Sequence, residues 1–159
     1  MTCTIISSGD ELKTVCQNES EAPFINMKVK LHEYIWNLYT KGYDKFYLNC
    51  DYGIPLWAAE FILSLKAGNQ IALHIMIPYE EQTTDWTEEL RNRYFAIHEK
   101  ADSVTLANTR YYPSCYQDTD KQMIDKSDIL VIFEEKNSVA PAETYAKENN
   151  IPIAYMPVF

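Results

Sequence analysis

The sequence predicts an α/β fold of the Rossmann-like kind, with a mostly parallel sheet between two layers of helices. Three observations predict it. Short, almost wholly apolar runs at residues 71–77 and 129–133 read as strands buried on both sides. Longer segments between such runs repeat their apolar residues at helical spacing. Glycine, proline and asparagine stand at the joints, where helices start and stop.

Taken in order, residues 3–7 form a β-rich run that Ser8-Gly9-Asp10 breaks. Residues 18–23 are turn-like. From 24 to 40, Phe24, Met27, Leu31, Ile35 and Leu38 mark a helix, and Gly42 closes it. A strand at 46–48 ends in Asn49-Cys50-Asp51-Tyr52-Gly53, and Pro55 opens a helix to about Lys66, closed by Gly68. The strand at 71–77 stops at Pro78. A helix at 87–100 carries Leu90, Tyr94 and Ile97 on one face. A strand at 103–107, an irregular stretch at 108–119 and a short helix at 121–126 follow. The strand at 129–133, a helix at 141–149 and a strand at 151–158 complete a single domain over residues 1–159.

Composition narrows the function. At 47% hydrophobic and 23% charged residues the chain has the makings of a proper core, which excludes a disordered protein. Aromatic residues reach 13%; some of that surplus suits a cleft or a homo-oligomer interface, although core packing is the simpler reading of any one ring. A net charge of -9 repels a phosphate backbone and argues against nucleic acid as a partner. The chain lacks a signal-like start and an apolar stretch of roughly 20 residues, so the expectation is a cytoplasmic protein without a membrane partner. Cys3, Cys16, Cys50 and Cys115 are scattered, with no spacing that suggests a metal or a disulfide framework, and no cofactor is called for.

In a doubly wound fold, ligands bind beyond the carboxyl ends of the strands. Three segments converge there: 7–10, 49–53 and 138–143. Each offers backbone N–H groups suited to an anion. With 4 glycines in all, and Gly42 and Gly68 ending helices, Gly9 and Gly53 are left for such a site. The absence of GxGxxG and Walker A patterns excludes a standard dinucleotide or nucleoside-triphosphate site. Glu60, early in its helix, either faces the cleft as a ribose ligand or general acid/base, or simply suits the helix dipole; spacing favours the second. Trp57 packs in the core or lids the pocket. Pro78-Tyr79, with Gln82 and Trp86, reads as a shelf for a base or sugar, or as a loop anchor. Asp125 and Asp128 flank Lys126-Ser127 and have capping roles open to them. His32, His74 and His98 pair with no nucleophile at recognisable spacing.

Three stretches together carry a resemblance: Gly53-x-x-x-Trp57-Ala58-Ala59-Glu60, then Pro78-Tyr79-x-x-Gln82-x-x-x-Trp86, then Met123-Ile124-Asp125-Lys126-Ser127-Asp128 before an apolar strand. In that order and spacing, from about Tyr43 onward, the chain resembles the YpsA-like branch of the SLOG superfamily, related to DprA and Lonely Guy (lysine-decarboxylase-like) proteins. The resemblance implies a Rossmann-like fold and a pocket for a nucleotide or nucleotide-derived ligand. Some superfamily members cleave the N-glycosidic bond of nucleoside monophosphates; others bind nucleic acid or act in signalling and defence. By position, the ligand residues would be Ser8, Gly9, Asn49, Asp51, Gly53, Glu60, Pro78, Tyr79 and Asp125, with Trp57 beside them.

The chain also departs from the pattern. Ser7-Ser8-Gly9-Asp10-Glu11 stands where the family has a Thr-Gly-His-Arg-Pro-like loop, and Asn49-Cys50-Asp51-Tyr52 replaces a glycine-rich turn. Ser138-Val139-Ala140-Pro141 replaces a Gly-Gly-Thr-like turn. Each change removes phosphate-friendly backbone or positive charge. The expectation is a regulatory, at most weakly catalytic protein that binds a nucleotide-derived small molecule through a degenerate phosphate site. A nucleoside-monophosphate N-glycosidase using Glu60, and an interaction scaffold using Tyr111, Tyr112 and Tyr116, are the alternatives.

Overall fold

A computed structural model of the chain describes residues 1–8, 19–134 and 141–157, with the backbone alone at Ser8, Glu134 and Pro157. In chain order the described elements are β1 (Thr2–Ser8), α1 (Ala22–Thr40), β2 (Lys45–Leu48), α2 (Ile54–Lys66), β3 (Ala72–Ile77) and α3 (Glu88–Lys100). They continue as β4 (Ser103–Leu106), α4 (Cys115–Ile124), β5 (Ile129–Glu134), α5 (Pro141–Glu148) and β6 (Ile153–Pro157).

The six strands make one sheet in the order β4-β3-β2-β1-β5-β6. Every described pairing is parallel. β1 is the hinge of the arrangement. It pairs with β2 on one side and, from Cys3↔Ile129 to Ser8↔Glu134, with β5 on the other.

Strand alternation sorts the side chains into two cores. Cys3, Ile5, Phe46, Leu48, Leu73, Ile75, Val131 and Phe133 face α1, α2 and α3. Ile6, Met76, Leu130 and Ile132 face α4 and α5. The result is the expected three-layer Rossmann-like fold, with helices on both faces.

Local chemistry accounts for the helix starts. Pro23 and Pro55 occupy first turns, where no intrahelical N–H is needed. Thr87 caps α3, its hydroxyl accepting from the Leu90 N–H at 3.3 Å. α4 differs from the sequence reading: it begins at Cys115, not at 121. Its buried positions Cys115, Thr119, Met123 and Ile124 keep helical period. The intervening polar residues 117, 118, 120 and 121 hide that period from a hydropathy reading.

At the amino-terminal edge of the sheet, polar groups tie β1 to β5. The Thr2 N–H donates to Asp128 Oδ2 at 2.7 Å, and the Asp128 N–H donates to the Thr2 carbonyl at 2.8 Å. Thr4 Oγ1 and Ser127 Oγ lie 2.6 Å apart, and Ser127 also donates to the Met123 carbonyl at 2.9 Å. A hydroxyl pair inside the second core is thereby satisfied.

The two ends of the hydrophobic gradient give a test. Ile5 is fully buried on the central strand, whereas Val104 on edge strand β4 is 41% exposed. Ile5→Ala is expected to cost about 2–5 kcal/mol in chemical denaturation, and Val104→Ala under about 1 kcal/mol. Equal losses would contradict this placement of the core.

Candidate functional site

Because the sheet is parallel, all six strands end on one rim, and the turn after β2 is built tightly against it. Asn49 Oδ1 accepts the Asp51 N–H at 3.0 Å, and Asp51 Oδ1 accepts the Tyr52 N–H at 3.0 Å. The Asp51 and Gly53 carbonyls accept from Leu56 and Trp57 at 2.9 and 3.0 Å, which starts α2. Cys50 has φ +58° and Gly53 φ +97°. A side chain is strained in the first conformation and nearly forbidden in the second, so Gly53 is required there for its backbone.

Beneath this turn lies a buried polar floor. Asn49, Asp51 and Gln82 are at most 8% exposed. Gln82 donates from Nε2 to the Asn49 carbonyl at 3.2 Å and accepts from Tyr94 Oη at 3.0 Å. Tyr116, from the first turn of α4, hydrogen-bonds the Gln82 side chain as well. Burial, with Asp51 nearby, pushes the Tyr94 and Tyr116 phenols upward, so both remain neutral. Tyr79 meets Tyr111 and Tyr116 edge-on, at centroid distances of 5.2 and 6.2 Å.

Asp120 belongs to the same floor. It follows Tyr116 by one turn of α4. Its Oδ1 is sealed from solvent and has no hydrogen-bond partner among the described residues. Burial first, and then the carboxylate of Asp51, pushes the Asp120 carboxyl up to about 8. Charge here is suppressed by a proton.

The outer helical layer handles charge differently. Arg93 donates from Nε to Glu60 Oε1 at 2.7 Å and from its Nη1 to both oxygens of Glu19 at 2.9 and 3.0 Å. Glu19 also accepts from Lys28 Nζ and Trp57 Nε1, each at 2.8 Å. Burial alone would raise Glu19, but the bonds from Arg93, Lys28 and Trp57 outweigh it and hold the carboxyl low.

Glu60 is the seventh residue of α2, almost two turns in. Ala58, Ala59 and Ile62 are buried, leaving Glu60 on the outer flank. It lines a groove of about 320 Å³ with Leu63, Ser64, Arg93 and Ile97, and another of about 250 Å³ with Lys28, His32, Trp57 and Phe61. At the rim, a separate polar cavity of about 470 Å³ lies between Tyr79-Glu80-Glu81 and Thr109-Arg110-Tyr111.

The structure thus gathers Asn49, Asp51, Gly53, Pro78 and Tyr79 at the rim, since all follow strand ends. Trp57 sits 2% exposed in the first core with its indole N–H on Glu19, and Glu60 stands with Arg93. Asp125 is not brought to this rim. It ends α4 at the opposite edge of the sheet, where Tyr145 Oη donates to it at 2.6 Å. The helix carries it there because α4 must run back to the start of β5. Gly9 and residues 138–140 lie outside the described residues, as does the Ser8 side chain.

Asp120 is the member that sequence reasoning missed. Its signal was the spacing of Tyr116 and Asp120 beside Cys115, Thr119 and Met123, one helical face interrupted by charge. Among the described residues, no three His, Cys, Asp or Glu side chains form a metal-holding group, and no helix is long and apolar enough to cross a membrane.

Comparison with known proteins bears on this architecture. The family model YpsA, described as the YspA SLOG family, matches residues 10–156. The chain belongs to that SLOG family. A UPF0398 protein of Halalkalibacterium halodurans is 31% identical over 120 residues, covering 73% of this chain and 64% of that protein. A UPF0398 protein of Macrococcus caseolyticus is 28% identical over 136 residues, 82% of this chain and 72% of the relative. One from Listeria monocytogenes is 28% identical over 138 residues, with 85% and 75% covered. The chain spans just under two thirds of the first relative's length and about three quarters of the other two.

The Asp120 carboxyl makes stability depend on pH in a stated direction. An unfolded aspartate loses its proton near pH 4, whereas the folded one keeps it to about 8. Its stabilising contribution is therefore complete below pH 4 and falls as pH rises through 8, by up to about 1.4 kcal/mol per unit. Asp120→Asn, which cannot ionise, is expected to gain in melting temperature over wild type progressively from pH 5 to 8. Parallel melting curves across that range would count against the buried, protonated carboxyl.

Proposed function

We propose that this chain is a regulatory SLOG protein that binds a nucleotide or nucleotide-derived small molecule at the carboxyl rim of its sheet, with little or no catalysis. The observation that carries the reading is the polar floor beneath the strand-end turns, where Asn49, Asp51 and Gln82 are buried and the partly buried Tyr116 and Asp120 join them, with Asp120 Oδ1 sealed from solvent. Most of these groups match one another, but the sealed Asp120 Oδ1 has no partner among the described residues, and a hydrogen-bond donor from a ligand would offset the cost of burying it. The adjoining cavity of about 470 Å³ is in the size range of small-molecule sites, and the rings of Tyr79 and Tyr111 flank it. Membership of the SLOG family supports the same choice of ligand class.

Glu60 takes a structural part in this reading. Its carboxylate is already engaged by the Arg93 guanidinium at 2.7 Å, and its neighbours are helix residues of the outer layer. Its ion pair, with Glu60 39% exposed at the side chain, joins α2 to α3.

Thermal-shift and calorimetric screens with AMP, ADP-ribose and cyclic nucleotides test the proposal. At a hundredfold excess over Kd, a true ligand stabilises by about 2.7 kcal/mol, or roughly 5–10 °C for a chain of this size. Asp51→Asn is expected to weaken binding by about tenfold or more. Glu60→Gln should bind as wild type does. No response to any of these compounds would sink the nucleotide reading.

A further inference from the structure

The two edges of the sheet are finished differently. β6 is guarded: Pro152 precedes it, Pro157 ends it, and its Tyr155 side chain hydrogen-bonds Glu143. Proline has no N–H to give a further strand, and natural edges use it to avoid unwanted pairing. β4, on the opposite edge, has no such guard. Ser103-Val104-Thr105-Leu106 holds no charge and no proline, and Val104 and Leu106 are 41% and 44% exposed.

The backbone of β4 is only half used. The Ala107 N–H donates to the Ile77 carbonyl at 2.8 Å, which fixes the residues that turn toward β3. Strand alternation then points the N–H and C=O groups of Val104 and Leu106 away from the sheet. Among the described residues, nothing pairs with that outer side. A free edge with apolar, uncharged side chains is a template for another strand.

We propose that the occupant is a second copy of this chain, its β4 laid antiparallel so that the two sheets become one. The strand is its own complement in that arrangement. Val104 of each copy lies opposite Leu106 of the other, each pair exchanging both N–H···O bonds. Their exposed side chains meet on the face that Ile75 and Ile77 share, so apolar covers apolar. Thr105 falls on the two-fold axis and meets its own copy on the other face, a favourable threonine pair. The same register sets Asp102 of the second copy opposite Asn108, two residues short of the exposed cation Arg110. Asn108 and Arg110 line an open depression of about 620 Å³ beside Leu106, which leaves room for the incoming turn. Lys66 already balances Asp102 at 2.7 Å, which suits contact between two chains of net charge -9. A contact built on short strands is at the small end of interfaces, so the dimer forms at about micromolar concentration or above. It is independent of the ligand reading.

Analytical ultracentrifugation of the full chain, from about micromolar to about millimolar, tests this. Wild type is expected to move from the 18.5 kDa monomer toward twice that mass as concentration rises. Thr105→Lys and Thr105→Glu each set like charges face to face on the axis. Each alone should stay monomeric to about tenfold or more beyond the wild-type midpoint. Mixed in equal amounts, the two variants should associate again, because each charge then meets its opposite. Leu106→Pro removes an outward N–H without touching the β3 ladder and should also stay monomeric. Should that variant fail to fold, the charge-swapped pair decides the matter alone. A wild-type monomer at every concentration would overturn the proposal and leave the edge to a foreign strand or to solvent. So would a dimer that persists in both single-charge variants, or a mixture of the two that does not associate.

Discussion

β1 is held on both flanks, and the geometry of the rim depends on that double pairing. From β1 the sheet grows outward through β2, β3 and β4 on one side and through β5 and β6 on the other. Each wing lays its connecting helices on its own face. The connection that closes the two wings is the stretch from β4 to β5. It crosses the second face as α4, and it carries Tyr116 and Asp120 in beneath the turn that follows β2. A polar floor assembled from residues far apart in the chain is a direct product of this strand order.

Two clusters of the same residue types show two ways of keeping acid inside a protein. In the outer layer, Glu19 and Glu60 share Arg93, with Lys28 and the Trp57 indole added to Glu19. These carboxylates remain partly exposed, and their charge is met by counter-charge. Under the rim, Asp120 Oδ1 has no partner among the described residues, and burial favours a retained proton. The first solution fixes geometry and leaves little chemistry to spare. The second leaves a group whose state answers to whatever arrives beside it.

Much of the fold was legible in the sequence because its strands are buried on both faces. Runs such as 71–77 and 129–133 need no alternation, and their apolar continuity separates them from the helices. The start of α4 was illegible for the converse reason: its core positions are Cys115 and Thr119, short side chains set among charges, so hydropathy gave no period. At the site, Asn49, Asp51, Gly53 and Tyr79 were readable as strand-end residues, since topology alone puts them at the rim. Glu60 was harder, because facing the rim or the solvent differs by a rotation about the helix, fixed here by Ala59 and Ile62 packing inward. Asp125 resembled a ligand by motif, yet the far end of α4 holds it beside Tyr145.

The unequal cladding of the sheet has a dynamic consequence. Among the described residues, one face is covered by helices of 19, 13 and 13 residues, the other by helices of 10 and 8. A layer that buries less apolar surface opens with less free energy, so local breathing concentrates on the thinner side. The helix that seals Asp120 belongs to that side. Amide exchange along α4 and α5 would outpace that along α1, and the access of water to the hidden carboxyl would follow the rhythm of that lighter wall.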